Sequence, residues 1–198
     1  MIDFTPPGEK YRGYIFDCDG TLADSMPLHL RAWNHGLAAA KAPLQIDGKG
    51  FMTVAGMALR QTIEHWNATH SIQIDAEVVM REKNAFFEAH QPEIAPIDPV
   101  VEFARACKAE GAAISVASGG GRTDVLKTLQ IIGLGDFFSH VITADDVKRS
   151  KPAPDLFLLA AERMGIAPAD CLVIEDSLLG IEAANTAGMA SVLVPHPF

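Results

Sequence analysis

The chain has 198 residues, 48% hydrophobic and 21% charged, which is the balance of a globular chain with room for one core and a modest extra element rather than of a disordered segment. No run approaches the roughly 18 apolar residues of a membrane span and no basic-then-apolar leader opens the sequence, so the expectation is a cytoplasmic protein with no membrane partner. The net charge of -9, with sixteen scattered basic residues, argues against a nucleic-acid partner, and three widely spaced cysteines, Cys18, Cys107 and Cys171, argue against a disulfide framework.

The first element is an apolar run, Tyr14-Ile15-Phe16, that stops at Asp17-Cys18-Asp19-Gly20-Thr21. A buried strand ending in a polar turn has this form. The turn can aim two carboxylates into one crevice, where their repulsion would be relieved by a divalent cation such as Mg2+, which accepts one or two carboxylates plus phosphate oxygens. Taken alone, such a pair is as simply a capped strand end.

From about Met26 to Pro92 the patterns are helical, with no convincing strand. Ser25 is expected to cap a helix carrying Leu28, Trp33 and Leu37, and Asp75 one carrying Val78, Val79, Phe86 and Phe87. Inserted after the first strand's polar loop, this stretch reads as a lid. Beyond it, helices are expected at about 99–110, 122–132, 154–164 and 180–187, the first three closed by Gly111, Gly133 and Gly165.

Between these helices lie strands at 113–117, 141–143, 171–174 and 191–194. Alternation of short apolar strands with helices predicts a parallel sheet that binds ligands at the carboxyl ends of its strands. Ser118-Gly119-Gly120-Gly121 follows one strand, offering a hydroxyl and exposed N–H groups to a phosphate, although a tight strand-to-helix turn explains the glycines equally well. Lys151 lies among Pro152 and Pro154, where a fixed ammonium could neutralise a phosphate under attack; by itself it would be a surface lysine in a rigid turn. Glu175-Asp176 follows four apolar residues and supplies a second acidic pair. His65 and His70 lack metal-ligand spacing, and Cys18, between two carboxylates, reads as a small buried side chain.

In this order, Asp17-Cys18-Asp19-Gly20-Thr21, Ser118, Lys151 and Glu175-Asp176 resemble the four motifs of the haloacid dehalogenase superfamily, in its subgroup with a helical cap. The resemblance implies an α/β fold: a Rossmann-like parallel sheet with the first strand central, formed by residues 1–25 and 93–198, with a helical cap at 26–92. It implies Asp17 as the nucleophile, Asp19 as general acid and base, and Thr21, Ser118 and Lys151 on the phosphate, with Gly119 contributing from the same loop as Ser118. Magnesium would be held by Asp17, the backbone carbonyl of Asp19, and Asp176, with Glu175 direct or through water.

Asp24-Ser25, His29, Arg31-Ala32-Trp33 and Arg81-Glu82-Lys83-Asn84 are similar to both β-phosphoglucomutases and fructose-1-phosphate phosphatase-like enzymes. The resemblance gives His29 a part in holding the general acid and Lys83 a part in holding the distal end of the substrate. A histidine packed on its helix and a solvated lysine are the alternatives. Thr21 stands where the mutases usually have Val, and Gly120-Gly121 replace side chains that there contact a second phosphate; both departures favour a phosphatase. Arg60 is the nearest candidate for the mutases' cap arginine. The expectation is a magnesium-dependent phosphatase acting on a fructose 1-phosphate-like ester, with β-phosphoglucomutase as the alternative. Its partner would be a small phosphorylated metabolite, and the protein would be a monomer or a weak homo-oligomer.

Overall fold

The structure, a computed structural model, describes residues 4–57 and 59–195. In chain order these form β1 (Gly13–Phe16), α1 (Met26–Ala39), α2 (Gly48–Met52), α3 (Leu59–His70), α4 (Ala76–His90), α5 (Asp98–Ala109), β2 (Ala113–Ala117), α6 (Arg122–Ile131), β3 (His140–Ile142), α7 (Asp155–Met164), β4 (Cys171–Glu175), α8 (Leu178–Thr186) and β5 (Ala190–Leu193), with short 3-10 turns between some of them. The chain divides into two compact units, one reaching Asp24 and resuming at Ala95, the other Ser25–Ile94.

The first unit is built on a five-stranded sheet in the order β3-β2-β1-β4-β5, with every pairing parallel. The α/β fold and the central first strand are therefore as expected. Every residue of β1 and of β4 is buried, as strands covered on both faces must be. Successive side chains of β1 face opposite ways. Ile15 joins Val173, Leu156, Phe157 and Ala160 in a cluster beneath α7 and α8, while Phe16 meets Phe103 and Phe138 with ring centroids 6.2 and 5.9 Å away. Phe16 is in register with Val116 on one side and Ile174 on the other, so the residues that follow the three strands emerge along one edge.

Gly111, Gly133 and Gly165 all have positive φ and terminate α5, α6 and α7 where the sequence predicts. Helix α8 begins at Leu178, ahead of the expected start near Gly180, because Ser177 caps it by accepting from the Gly180 N–H. At the junction with the other unit, the Asp24 N–H donates to Ala95 O at 2.9 Å, tying together the two ends between which residues 25–94 are inserted.

Among its described residues, the regular secondary structure of the second unit is helical. Helices α1 and α4 approach closely at Gly36: a Cβ there would lie 2.7 Å from Val79 O, nearer than side chains tolerate. Trp33 and Trp66 meet edge to face at 5.0 Å within a core that includes Leu37, Ile63 and Val79. Asp75 caps α4 as expected, accepting from the N–H groups of Glu77 and Val78. Ser25 does not cap α1. Its own backbone is already helical (φ −97°, ψ −12°), and its side chain makes no capping hydrogen bond. Among the described residues, no helix is long and apolar enough to cross a membrane.

Candidate active site

At the carboxyl edge of the sheet, the Asp17 N–H donates to Ile174 O at 2.9 Å, extending the β1–β4 pairing by one residue and setting Asp17 beside the end of β4. The chain then turns sharply. Cys18 O accepts from the N–H groups of Leu22 and Ala23, and Gly20, at φ +84°, takes a conformation that an L side chain would strain. The turn exists because the sequence places glycine at that one position. On the other side of β1, the Ser118 N–H donates to Ile142 O, and Ser118 Oγ accepts from the Gly120 N–H at 3.1 Å. A Cβ at Gly120 would stand 3.7 Å from Asp19 Oδ2, so the glycine loop and the Asp19 turn are neighbours.

Three of the carboxylates picked out in the sequence converge. Asp17, Glu175 and Asp176, all buried, present oxygens within 4.8 Å of one another. Lys151 enters this group from the loop before α7, its Nζ donating to Asp17 Oδ1 at 2.5 Å and to Glu175 Oε2 at 2.7 Å. The two ion pairs fix the lysine, beyond what its neighbouring prolines do. Glu175 is held at its other oxygen as well: Oε1 accepts from Ser177 Oγ at 2.5 Å and from the Ser177 N–H at 3.2 Å.

Three carboxylates against one ammonium leave surplus negative charge in a buried place. Burial, then the Glu175 charge, pushes the Asp17 carboxyl up to about 8 in spite of Lys151. Asp176 is likewise raised well above the ordinary carboxylate range, by burial first and then by Glu175 and Asp17. For Lys151, burial works to lower the pKa, but Asp17 and Glu175 outweigh it and the ammonium is held above its ordinary value. Burial, with Asp19 and Asp17 beside it, pushes the Cys18 thiol well up, so this cysteine stays a protonated core side chain.

The donor set suits a hard divalent cation. It is all oxygen and in charge excess, and Asp176 Oδ2 is buried without a hydrogen-bond partner among the described residues. Thr21 Oγ1 is in the same position. The side chain of Asp19 is not one of the converging carboxylates.

His29 and Lys83 lie in the helical unit. The His29 ring stacks on Phe87 at 4.3 Å and 11°, and the buried Lys83 ammonium sits 5.2 Å from the Phe87 ring centroid and 5.8 Å from that of Trp33. Lys83 is therefore not the solvated lysine that the sequence leaves open. Arg60 is exposed and paired with Glu77. Two residues of the core site escape sequence reasoning, Ser177 and Gly180. The serine is legible as a helix cap, but the crowding at the glycine arises only in three dimensions: a Cβ there would fall 2.1 Å from Glu175 Cδ.

A family model described as haloacid dehalogenase-like hydrolase matches residues 11–188. Fructose-1-phosphate phosphatase YqaB of Escherichia coli is 33% identical over 184 residues, covering 93% of this chain and 96% of that protein. Among solved structures, a hydrolase from Pseudomonas syringae superposes with a TM-score of 0.82 at 29% identity, covering 92% of this chain and 84% of that one. The β-phosphoglucomutase of Clostridium difficile gives 0.79 at 27% identity, with coverages of 92% and 84%.

Proposed function

Since this chain belongs to the haloacid dehalogenase-like hydrolase family, we propose that it is a magnesium-dependent phosphatase that hydrolyses a small sugar phosphate, fructose 1-phosphate-like, through an aspartyl phosphate on Asp17. The observation that carries this reading is the buried convergence of Asp17, Glu175 and Asp176 around Lys151 at the carboxyl edge of a parallel sheet. The similarity to a fructose-1-phosphate phosphatase over nearly the whole of both chains supports the substrate class. Three buried, unbridged cysteines fit a reducing compartment such as the cytoplasm.

In this reading a carboxylate oxygen of Asp17 attacks phosphorus, and the bond from phosphorus to the ester oxygen breaks. Asp19 gives its proton to the departing oxygen. The resulting Asp19 carboxylate then takes a proton from water, whose oxygen attacks the same phosphorus, and the aspartyl bond breaks to release phosphate and restore Asp17. The Lys151 ammonium offsets the charge that accumulates as two anions approach, while Thr21, Ser118 and the Gly119 N–H hold phosphate oxygens. Asp17, the Asp19 carbonyl and Asp176 would hold the magnesium ion, with Glu175 direct or through water. Bound there, the ion supplies further charge neutralisation at the phosphoryl group. We assign Lys83 to recognition of the substrate beyond its phosphate and His29 to holding the general acid.

The likeness to a solved β-phosphoglucomutase keeps the isomerase as a second reading. A panel of phosphate esters with magnesium separates the two. Free phosphate from fructose 1-phosphate and from β-glucose 1-phosphate supports the phosphatase, conversion of β-glucose 1-phosphate to glucose 6-phosphate supports the mutase, and inertness toward every ester overturns both.

A further inference from the structure

Glu175 is held from both ends. Its Oε2 accepts from Lys151, and its Oε1 accepts from the Ser177 hydroxyl at 2.5 Å and the Ser177 N–H at 3.2 Å. The same hydroxyl oxygen accepts from the Gly180 N–H at 3.0 Å, so its single proton is committed to Glu175. The stem of Glu175 runs through the space that a side chain at position 180 would fill: an ideal Cβ there would lie 2.1 Å from Cδ, 2.3 Å from Cγ and 2.3 Å from Oε1. Backbone, hydroxyl and an absent side chain thus leave the carboxylate one place to be.

We propose that Ser177 is a positioning residue for the phosphoryl transfer: its hydroxyl, anchored on the Gly180 N–H, orients Glu175 so that Glu175 holds the Lys151 ammonium against Asp17. Gly180 serves the same end by vacating the volume that the Glu175 stem occupies. This deepens the reading of the site as a phosphatase centre and rests on it. The simpler role for Ser177, a helix cap for α8, predicts a loss of stability alone.

Ser177→Gly separates the roles, because glycine is itself a favourable cap but carries no hydroxyl. With fructose 1-phosphate and magnesium, kcat of Ser177→Gly is expected to fall about tenfold with KM within about twofold, since the disturbed ammonium acts in the transition state. The melting temperature should fall as well, because a hydrogen bond to a buried carboxylate is lost, so kcat and the position of Glu175 carry the distinction. Gly180→Ala, which keeps the hydroxyl but displaces the Glu175 stem, should show the same kcat loss and serves if the first variant does not fold. A crystal structure of Ser177→Gly should show Glu175 Oε2 withdrawn from Lys151 Nζ. A kcat within about twofold of wild type, or Glu175 unmoved in that structure, overturns the proposal. A wild type that releases no phosphate from any ester overturns the phosphatase reading instead, and the crystal structure then decides the role of Ser177 alone.

Discussion

Lys151 Nζ stands 2.5 Å from Asp17 Oδ1, although 134 positions separate the two residues in the chain and both side chains are buried. A buried ammonium facing more than one carboxylate is held charged, and in the proposed reaction it aligns the Asp17 carboxylate before substrate arrives. Lys151→Ala removes both effects. Turnover of every ester, a simple aryl phosphate included, should fall together, because the lost stabilisation acts on the phosphoryl group common to them all. The same variant leaves buried carboxylates without their partner and should lose about 3 kcal/mol of stability, measured by urea unfolding without metal.

The surplus of buried negative charge predicts a strong response to divalent cations. EDTA should abolish activity, and calcium should inhibit, because its larger and looser shell would displace the attacking carboxylate. Magnesium at about a hundredfold excess over Kd should stabilise the protein by about 3 kcal/mol, seen as a rise in Tm. Asp176→Ala should lose most of that rise, since it removes a buried oxygen that has no hydrogen-bond partner among the described residues.

Most of this site could be read from the chain because each acidic motif follows an apolar strand. Asp17 after Phe16 and Glu175 after Ile174 announce themselves by the change from hydrophobe to carboxylate, and a parallel sheet brings such ends to one edge. Lys151 was legible as a fixed cation, but its two partners were not, because they arrive by packing. Gly180 carried no readable role, since what it avoids is the stem of Glu175. Ser25 misled: serine before an amphipathic run is the usual mark of a cap, yet its backbone is already helical. Helix α8 starts two residues ahead of the expected position because Ser177 caps it through the Gly180 N–H.

A pH dependence is expected at the end of β3. Asp146 accepts from the Thr143 N–H at 2.8 Å and the Thr143 hydroxyl at 2.9 Å, and it takes Arg122 at 2.8 and 2.7 Å. Burial works to raise its pKa, but Arg122 and Thr143 outweigh that and hold the carboxyl below its usual value. The unfolded chain, titrating near pH 4, therefore binds more protons in the interval below, and stability rises with pH through it. The contribution should be complete above about pH 5 and lost as pH falls through the folded value. Asp146→Asn should cost about 1 kcal/mol at pH 7, the ion pair being partly screened, and the gap from wild type should narrow as the pH drops below 4.

Lys83 tests the division of labour between phosphate chemistry and substrate choice. If it recognises the leaving group, Lys83→Ala should leave kcat/KM for an aryl phosphate near wild type and weaken the preferred sugar phosphate by about 1–3 kcal/mol. Equal losses on both would assign its buried ammonium, between Trp33 and Phe87, to the packing of the helical unit.

In the proposed reaction the phosphoryl group passes through Asp17. Enzyme quenched in acid during turnover of fructose 1-phosphate and then treated with borohydride converts an acyl phosphate to the alcohol, and peptide mass spectrometry locates the change. The expected result is homoserine at position 17 in wild type and none in Asp17→Asn, which should be folded and inactive. Homoserine at another carboxylate, or Asp17→Asn turning over within about tenfold of wild type, would show that the phosphoryl group does not pass through Asp17.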